Sequence, residues 1–277
     1  MRWPLKLNPD PSGIREPAVA GTFYPDNPAQ LRLLIGDLLG QTAGTTGGDL
    51  PKAVIAPHAG YRFSGPIAAS AYARLAAGRD IYRRVLLLGP SHFMRFRGLA
   101  ASSASGFRTP LGVVPVDAAG LGQALALPQV HLLEAAHQEE HSLEVHLPFL
   151  QVVLGDFSVV PLLVGDASPA EVAGVLDQLW GGSETLFVVS SDLSHYLTAG
   201  GAQAADAATA RAIESLDWPT LREDQACGCK PIAGLLAAAK KRGLHCKLVD
   251  LRHSGQTGGP PDRVVGYGVF VFTEKCS

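Results

Sequence analysis

The sequence predicts an α/β protein in which a mainly parallel sheet is sandwiched between helices, and three features of the chain carry that expectation. Short runs rich in Val, Ile and Leu recur along the chain without in/out alternation, the pattern of strands buried on both faces. Helical stretches alternate with these runs, as in folds wound around a parallel sheet. No shift in composition and no repeat of fixed period divides the 277 residues, a length ample for one large core.

Taken in order, residues 1–20 hold Pro4, Pro9, Pro11 and Pro17 and read as an extended arm. Asn27 to Leu39 places Leu31, Leu34, Ile35 and Leu38 at helical spacing, with Gly40 as a stop. Gln41 to Asp49 is rich in Thr and Gly and reads as a surface loop. Strands are expected at 53–56, 85–88, 159–164, 186–189, 246–251 and 264–272. Helices are expected at 66–77, 118–125, 143–154, 169–179, 202–215 and 231–242. The stretch 98–116 is expected to add antiparallel strands, making the sheet mixed.

Composition narrows the function. Hydrophobic residues make up 47% and charged residues 17%, a globular balance. Lysine and arginine number 23 against 25 acids, giving a formal net charge of −2. Without a basic excess to grip phosphate backbones, nucleic acid is not an expected partner. No apolar run approaches the ~20 residues of a membrane span, so a membrane is not expected either. The first residues lack the apolar core of a signal peptide, and four cysteines do not make a disulfide scaffold in a chain this long. A cytoplasmic protein with reduced thiols is the expectation.

The chemistry collects at strand ends. Val54-Ile55-Ala56-Pro57 runs into His58, Val85 to Ser91 runs into His92, and Leu186 to Ser191 runs into Asp192, with His195 three residues on. Ligands of open α/β sheets bind beyond the carboxyl ends of strands, so these metal-ligating or acid–base groups fall along one rim. Any one of them alone reads equally as a hydrogen-bonded structural residue; the repeated pattern makes a site. Cys227 precedes an apolar helical run beginning near Pro231, and a thiol at a helix N-terminus is expected to have a lowered pKa. Cys229 is too close to form an unstrained disulfide with it, and its role stays open.

In Glu139-Glu140-His141-Ser142-Leu143-Glu144-Val145-His146, two readings compete. His137 to His141 fits the H-x-x-E-H zinc-protease pattern, which needs one helix carrying both histidines. A helix starting after His141 argues instead that His141, Glu144 and His146 face the rim and hydrogen-bond around it, with Glu139 and Glu140 as a solvated helix start. No G-x-S-x-G elbow, P-loop or G-x-G-x-x-G is present.

Together these motifs resemble the Memo family, whose bacterial members are called AmmeMemoRadiSam system protein B. The resemblance rests on Gly21-Thr22-Phe23-Tyr24-Pro25, Ala56-Pro57-His58-Ala59-Gly60-Tyr61, Leu88-Gly89-Pro90-Ser91-His92, Arg108-Thr109-Pro110-Leu111, Glu140 to Pro148, Val189 to His195, and Cys227-Gly228 followed by Pro231-Ile232. These run in order from about Arg15 to Thr273. The resemblance implies a single three-layer α/β/α domain over 1–277, similar to class III extradiol dioxygenase catalytic subunits. By motif, it implies His58, His92 and Cys227 as metal ligands, His195 as acid–base catalyst with Asp192 beside it, and Tyr24 and Tyr61 as pocket walls. The dioxygenases use two histidines and a carboxylate, so a thiolate here departs from them. The implied cofactor is a divalent metal, Fe(II) first, with Cu and Zn as alternatives that the same donors accept. The implied function is a dioxygenase-like redox enzyme acting on a small molecule, beside a radical-SAM protein; the alternative is a non-catalytic metal- or peptide-binding protein. Animal members bind phosphotyrosine peptides, but Cys229-Lys230 stands where they have Arg-His.

Overall fold

A computed structural model describes residues 13–42 and 49–274. Residues 1–12 of the expected arm, 43–48 of the expected loop and Cys276 lie outside the described residues. In chain order the elements are β1 (Ile14–Arg15), α1 (Pro28–Gly40), β2 (Ala53–Ala56), α2 (Tyr61–Leu75), β3 (Arg84–Pro90), β4 (Leu99–Ala101), β5 (Gly106–Thr109), β6 (Gly112–Pro115), α3 (Ala118–Leu125), β7 (Val130–Leu132), α4 (Glu134–His137), α5 (Leu147–Val153), β8 (Ser158–Val164), α6 (Pro169–Gln178), β9 (Thr185–Ser190), β10 (His195–Leu197), α7 (Ala199–Glu214), α8 (Cys229–Arg242), β11 (His245–His253) and β12 (Val264–Thr273).

The centre of the main sheet is parallel, with β2, β9, β3 and β8 as consecutive neighbours. Its margins are antiparallel: β12 against β2 on one side and β4 against β8 on the other. Strands β10 and β11 both pair with β12, and β7 closes the far edge beside β4. The sheet is therefore mixed, as expected. The stretch 98–116 divides: β4 joins the main sheet, while the β5–β6 hairpin builds a small separate sheet with β1.

Helices cover both faces, giving three layers. Along β2, Val54 and Ala56 enter one core while Ala53 and Ile55 enter the other; along β3, Val85 and Leu87 oppose Leu86 and Leu88. Successive side chains of a strand point to opposite faces, so two-sided burial requires the unbroken apolar runs seen in the sequence. Helices α1, α2 and α5 contribute Leu31, Ile67 and Leu150 to one core. Helices α3, α6 and α8 contribute Ala124, Val172 and Leu235 to the other. Among the described residues no helix is long and apolar enough to cross a membrane.

The two helix starts that depart most from the sequence reading both involve proline. Helix α2 starts at Tyr61 and carries Pro66 inside it; burial of Tyr61 against Phe149 draws the first turn inward past the residue that would otherwise open the helix. The expected helix over 143–154 is a 3-10 turn at Glu144–His146 followed by α5. Pro148 has no N–H to return to Glu144, and the Leu147 N–H takes that carbonyl instead.

Candidate metal centre

The three parallel strands that end in functional residues lie side by side in register. Ala56 of β2 pairs with Ser190 of β9, and Leu88 of β3 pairs with Val189. Chain segments leaving these strands therefore emerge together at one rim. His58, His92 and His141 meet there, each offering a ring nitrogen, all within 4.8 Å of one another. The His92 and His141 rings are nearly parallel at 4.8 Å between centroids, and both stand edge-on to His58.

Hydrogen bonds set the tautomers. The Ser190 hydroxyl donates to the Ser142 carbonyl at 2.6 Å. Its oxygen must then accept from His58 Nδ1–H, 2.6 Å away, which leaves His58 Nε2 with a free lone pair. His92 Nδ1 lies 2.9 Å from Glu140 Oε1 and donates to it, so in the neutral ring Nε2 carries the lone pair. Carboxylate or hydroxyl partners on the far nitrogen are the usual support of a metal-ligating imidazole. Burial, reinforced by the neighbouring histidines, holds His58 well below its ordinary pKa. Burial lowers His141 also. His92 moves the other way: burial opposes its charge, but the bond and charge of Glu140 prevail and raise it.

Cys227 stands beside this cluster, with Sγ 3.4 Å from His58 Nε2. Two N and S ligands on one tetrahedral ion, at about 2.0 and 2.3 Å from it, are separated by roughly 3.5 Å, so the spacing suits a shared metal. The donor set of imidazoles and a sulfur fits Fe(II), Cu or Zn. The expectation of a lowered thiol pKa is corrected. Helix α8 begins only at Cys229, and burial together with the Asp192 carboxylate pushes the Cys227 thiol up to about 12. The sulfur accepts the Asp192 backbone N–H at 3.3 Å. Gly228 allows this turn: a Cβ there would stand 2.6 Å from the Ser190 carbonyl oxygen.

No hydrogen bond joins Asp192 to His195 among the described residues. Its buried carboxylate accepts the His58 backbone N–H at 2.8 Å, and burial raises its pKa to about 7. It positions the His58 turn. His195 is half-buried and has its pKa lowered by burial. The next residue, Tyr196, is exposed at φ 60°, a left-handed backbone that non-glycine residues seldom adopt.

Several residues expected around the pocket serve elsewhere. Glu144 hydrogen-bonds none of the cluster histidines. It accepts from Arg15 Nη1 at 2.5 Å, from the backbone N–H groups of Ala18 and Val19, and from the Tyr24 hydroxyl at 2.5 Å, binding the N-terminal segment to the core. The Tyr24 hydroxyl is thus taken by Glu144, and the buried Tyr61 donates to the Val145 carbonyl. His146 pairs with the Tyr72 hydroxyl in the core. The zinc-protease pattern fails because α4 ends at His137, whose Nε2 donates to the Ala100 carbonyl.

Glu140 is the functional residue the sequence reading missed. It is 2% exposed and accepts from the backbone N–H groups of His92, His141 and Ser142 as well as from the His92 ring. Burial would raise its pKa, but the His92 hydrogen bond and charge with the backbone donors hold it at about 2. Gly89 makes room for the loop that carries it, since a Cβ there would lie 2.7 Å from Ser142 Oγ.

The Memo-like protein family model matches residues 15–271, nearly the whole chain. The chain belongs to the Memo family. A MEMO1 family protein of Methanococcoides burtonii is 37% identical, the match covering 93% of this chain and 99% of that one. MEMO1 family proteins of Aquifex aeolicus and Methanopyrus kandleri are 34% and 36% identical, over 94% and 93% of this chain and 99% and 98% of theirs. Within this Memo chain, His58, His92 and His141 form a cluster able to hold a metal ion.

Proposed function

We propose that this protein is a metal-dependent redox enzyme, dioxygenase-like, acting on a small molecule, with Fe(II) as the metal. The observation that carries the reading is the convergence of three imidazoles with the Cys227 sulfur beside them. His58, His92 and Cys227 would hold the metal, with His141 as a further donor from the same cluster. A bound Fe(II) supplies Lewis acidity and redox capacity for oxidation by dioxygen.

The remaining work belongs to the protein. Ser190 and Glu140 keep the Nε2 lone pairs of His58 and His92 turned inward. His195 is half-buried and has its pKa lowered by burial, so its ring is an unprotonated base at neutral pH, suited to take a proton from a substrate hydroxyl. A cytoplasmic setting agrees with Cys227, Cys229 and Cys246 as free thiols. Work beside a radical-SAM protein belongs to the same proposal.

Anaerobic loading with Fe(II) followed by metal analysis tests it. Wild type and Cys276→Ala are expected to retain iron, while His58→Ala and Cys227→Ala lose it, and the iron form consumes dioxygen with a turned-over small molecule. Equal iron in all four proteins, or iron binding without turnover of any compound in a broad metabolite screen, would overturn it.

A further inference from the structure

A cleft of about 680 Å3 lies between the loop after β3, the turn after β8 and the start of α8. Its size is that of a site for an organic small molecule, roughly 300–1,000 Å3. Cys227 lines this cleft and also sits against His58, so the cleft and the histidine cluster meet at the sulfur. Met94 and Phe96 give the cleft apolar surface, and Arg95, Arg97 and Lys230 give it positive charge.

The cations are not equivalent. Lys230 is committed to the acids of the cleft, with Nζ 2.8 Å from Asp166 and 3.3 Å from Glu223. The hydrogen bond and charge of Lys230 hold the Asp166 carboxyl below its ordinary pKa, and the Arg97 charge adds to this. Arg95 and Arg97 are exposed, and neither makes a hydrogen bond or close ion pair among the described residues. Two uncommitted guanidinium groups, each a planar fork of donors, match a carboxylate or a phosphate.

We propose that this cleft receives the substrate, an organic molecule with an apolar body and an anionic head. Arg95 and Arg97 take the head, Met94 and Phe96 pack on the body, and the reacting end extends past Cys227 to the histidines. The last element rests on the metal-centre reading; anion binding in the cleft does not.

The test uses metal-free full chain and three probes sharing an apolar body: phenyl phosphate, benzoate and neutral benzyl alcohol. Binding is followed by amide NMR shifts. One or both anions are expected to bind at least about tenfold more tightly than the alcohol, with shifts at residues 94–97 and 226–231. The tighter anion identifies the head as phosphate or carboxylate. Arg95→Ala/Arg97→Ala is expected to weaken the anions about tenfold and leave the alcohol unchanged. Equal binding of all three probes, shifts elsewhere, or a double variant that binds anions like wild type would overturn the proposal. Iron content of the double variant is read in parallel. Iron retained with anion binding lost is the expected pair of results, whereas absence of iron from wild type would sink the metal centre and leave the cleft standing.

Discussion

Glu140 and Glu139 are the same residue type at adjacent positions with opposite fates. Glu139 is exposed, while Glu140 is buried and gathers four donors, two of them from His92. Replacing the Glu140 carboxylate by an amide removes the charge that holds His92 Nδ1–H and puts an N–H pair where only acceptors fit. Glu140→Gln is therefore expected to lower iron affinity about 10–100-fold with the fold intact, measured by competition with a chelator, whereas Glu139→Gln matches wild type; equal affinities would reduce Glu140 to a structural acid. At this scale His58 and His92 were legible because each stands two residues past the end of a buried strand. Glu140 was not, since its burial depends on β3 approaching from about 50 positions away in the chain, and local sequence shows only a polar run.

The segment from His137 to His146 is an irregular element that supplies both Glu140 and His141, and it is held from outside. Arg15 reaches the His137 carbonyl with Nε, the Glu140 carbonyl with Nη2 and the Glu144 carboxylate with Nη1. Both members of the Arg15–Glu144 pair are buried. Removing one partner of such a pair strands the other charge, at a cost of about 3–5 kcal/mol, while replacing both by apolar groups is often near neutral. Arg15→Met and Glu144→Gln are each expected to lower stability by that order, read from the denaturant midpoint, and Arg15→Met/Glu144→Met to cost less than the sum of the two without returning to wild type, because Glu144 also accepts from Ala18, Val19 and Tyr24. A double variant as unstable as the sum of the singles would show that the packing of the N-terminal segment, not the charge pair, carries the stability. The sequence reading placed Glu144 at the rim with His141 and His146; it stands instead in a 3-10 turn with its carboxylate on the N-terminal segment.

Across the whole molecule, the central strands were readable because burial on both faces forces continuous apolar sequence, and the short end strands β7 and β10 were not. Strands β7 and β10 are three residues each, too short for a pattern, and their partners are chosen by long-range packing. The same burial that defines the two cores traps histidines as neutral groups. His137 and His146 are each 1% exposed, and burial lowers their pKa values to about 4 and about 3. In the unfolded chain both titrate near 6.5. Between these values the unfolded state binds more protons than the folded state, so stability is full above about pH 6.5 and is lost as pH falls toward 4. A shift from 6.5 to about 4 at His137 corresponds to about 3 kcal/mol over that window. His137→Gln can keep a donor on the Ala100 carbonyl but has no proton to take up. Its loss of stability between pH 7 and pH 4, read from denaturant midpoints, is expected to be smaller than that of wild type by about that amount. An identical pH dependence in the two proteins would mean that His137 accepts a proton without unfolding, through a partner or water that the buried site does not offer.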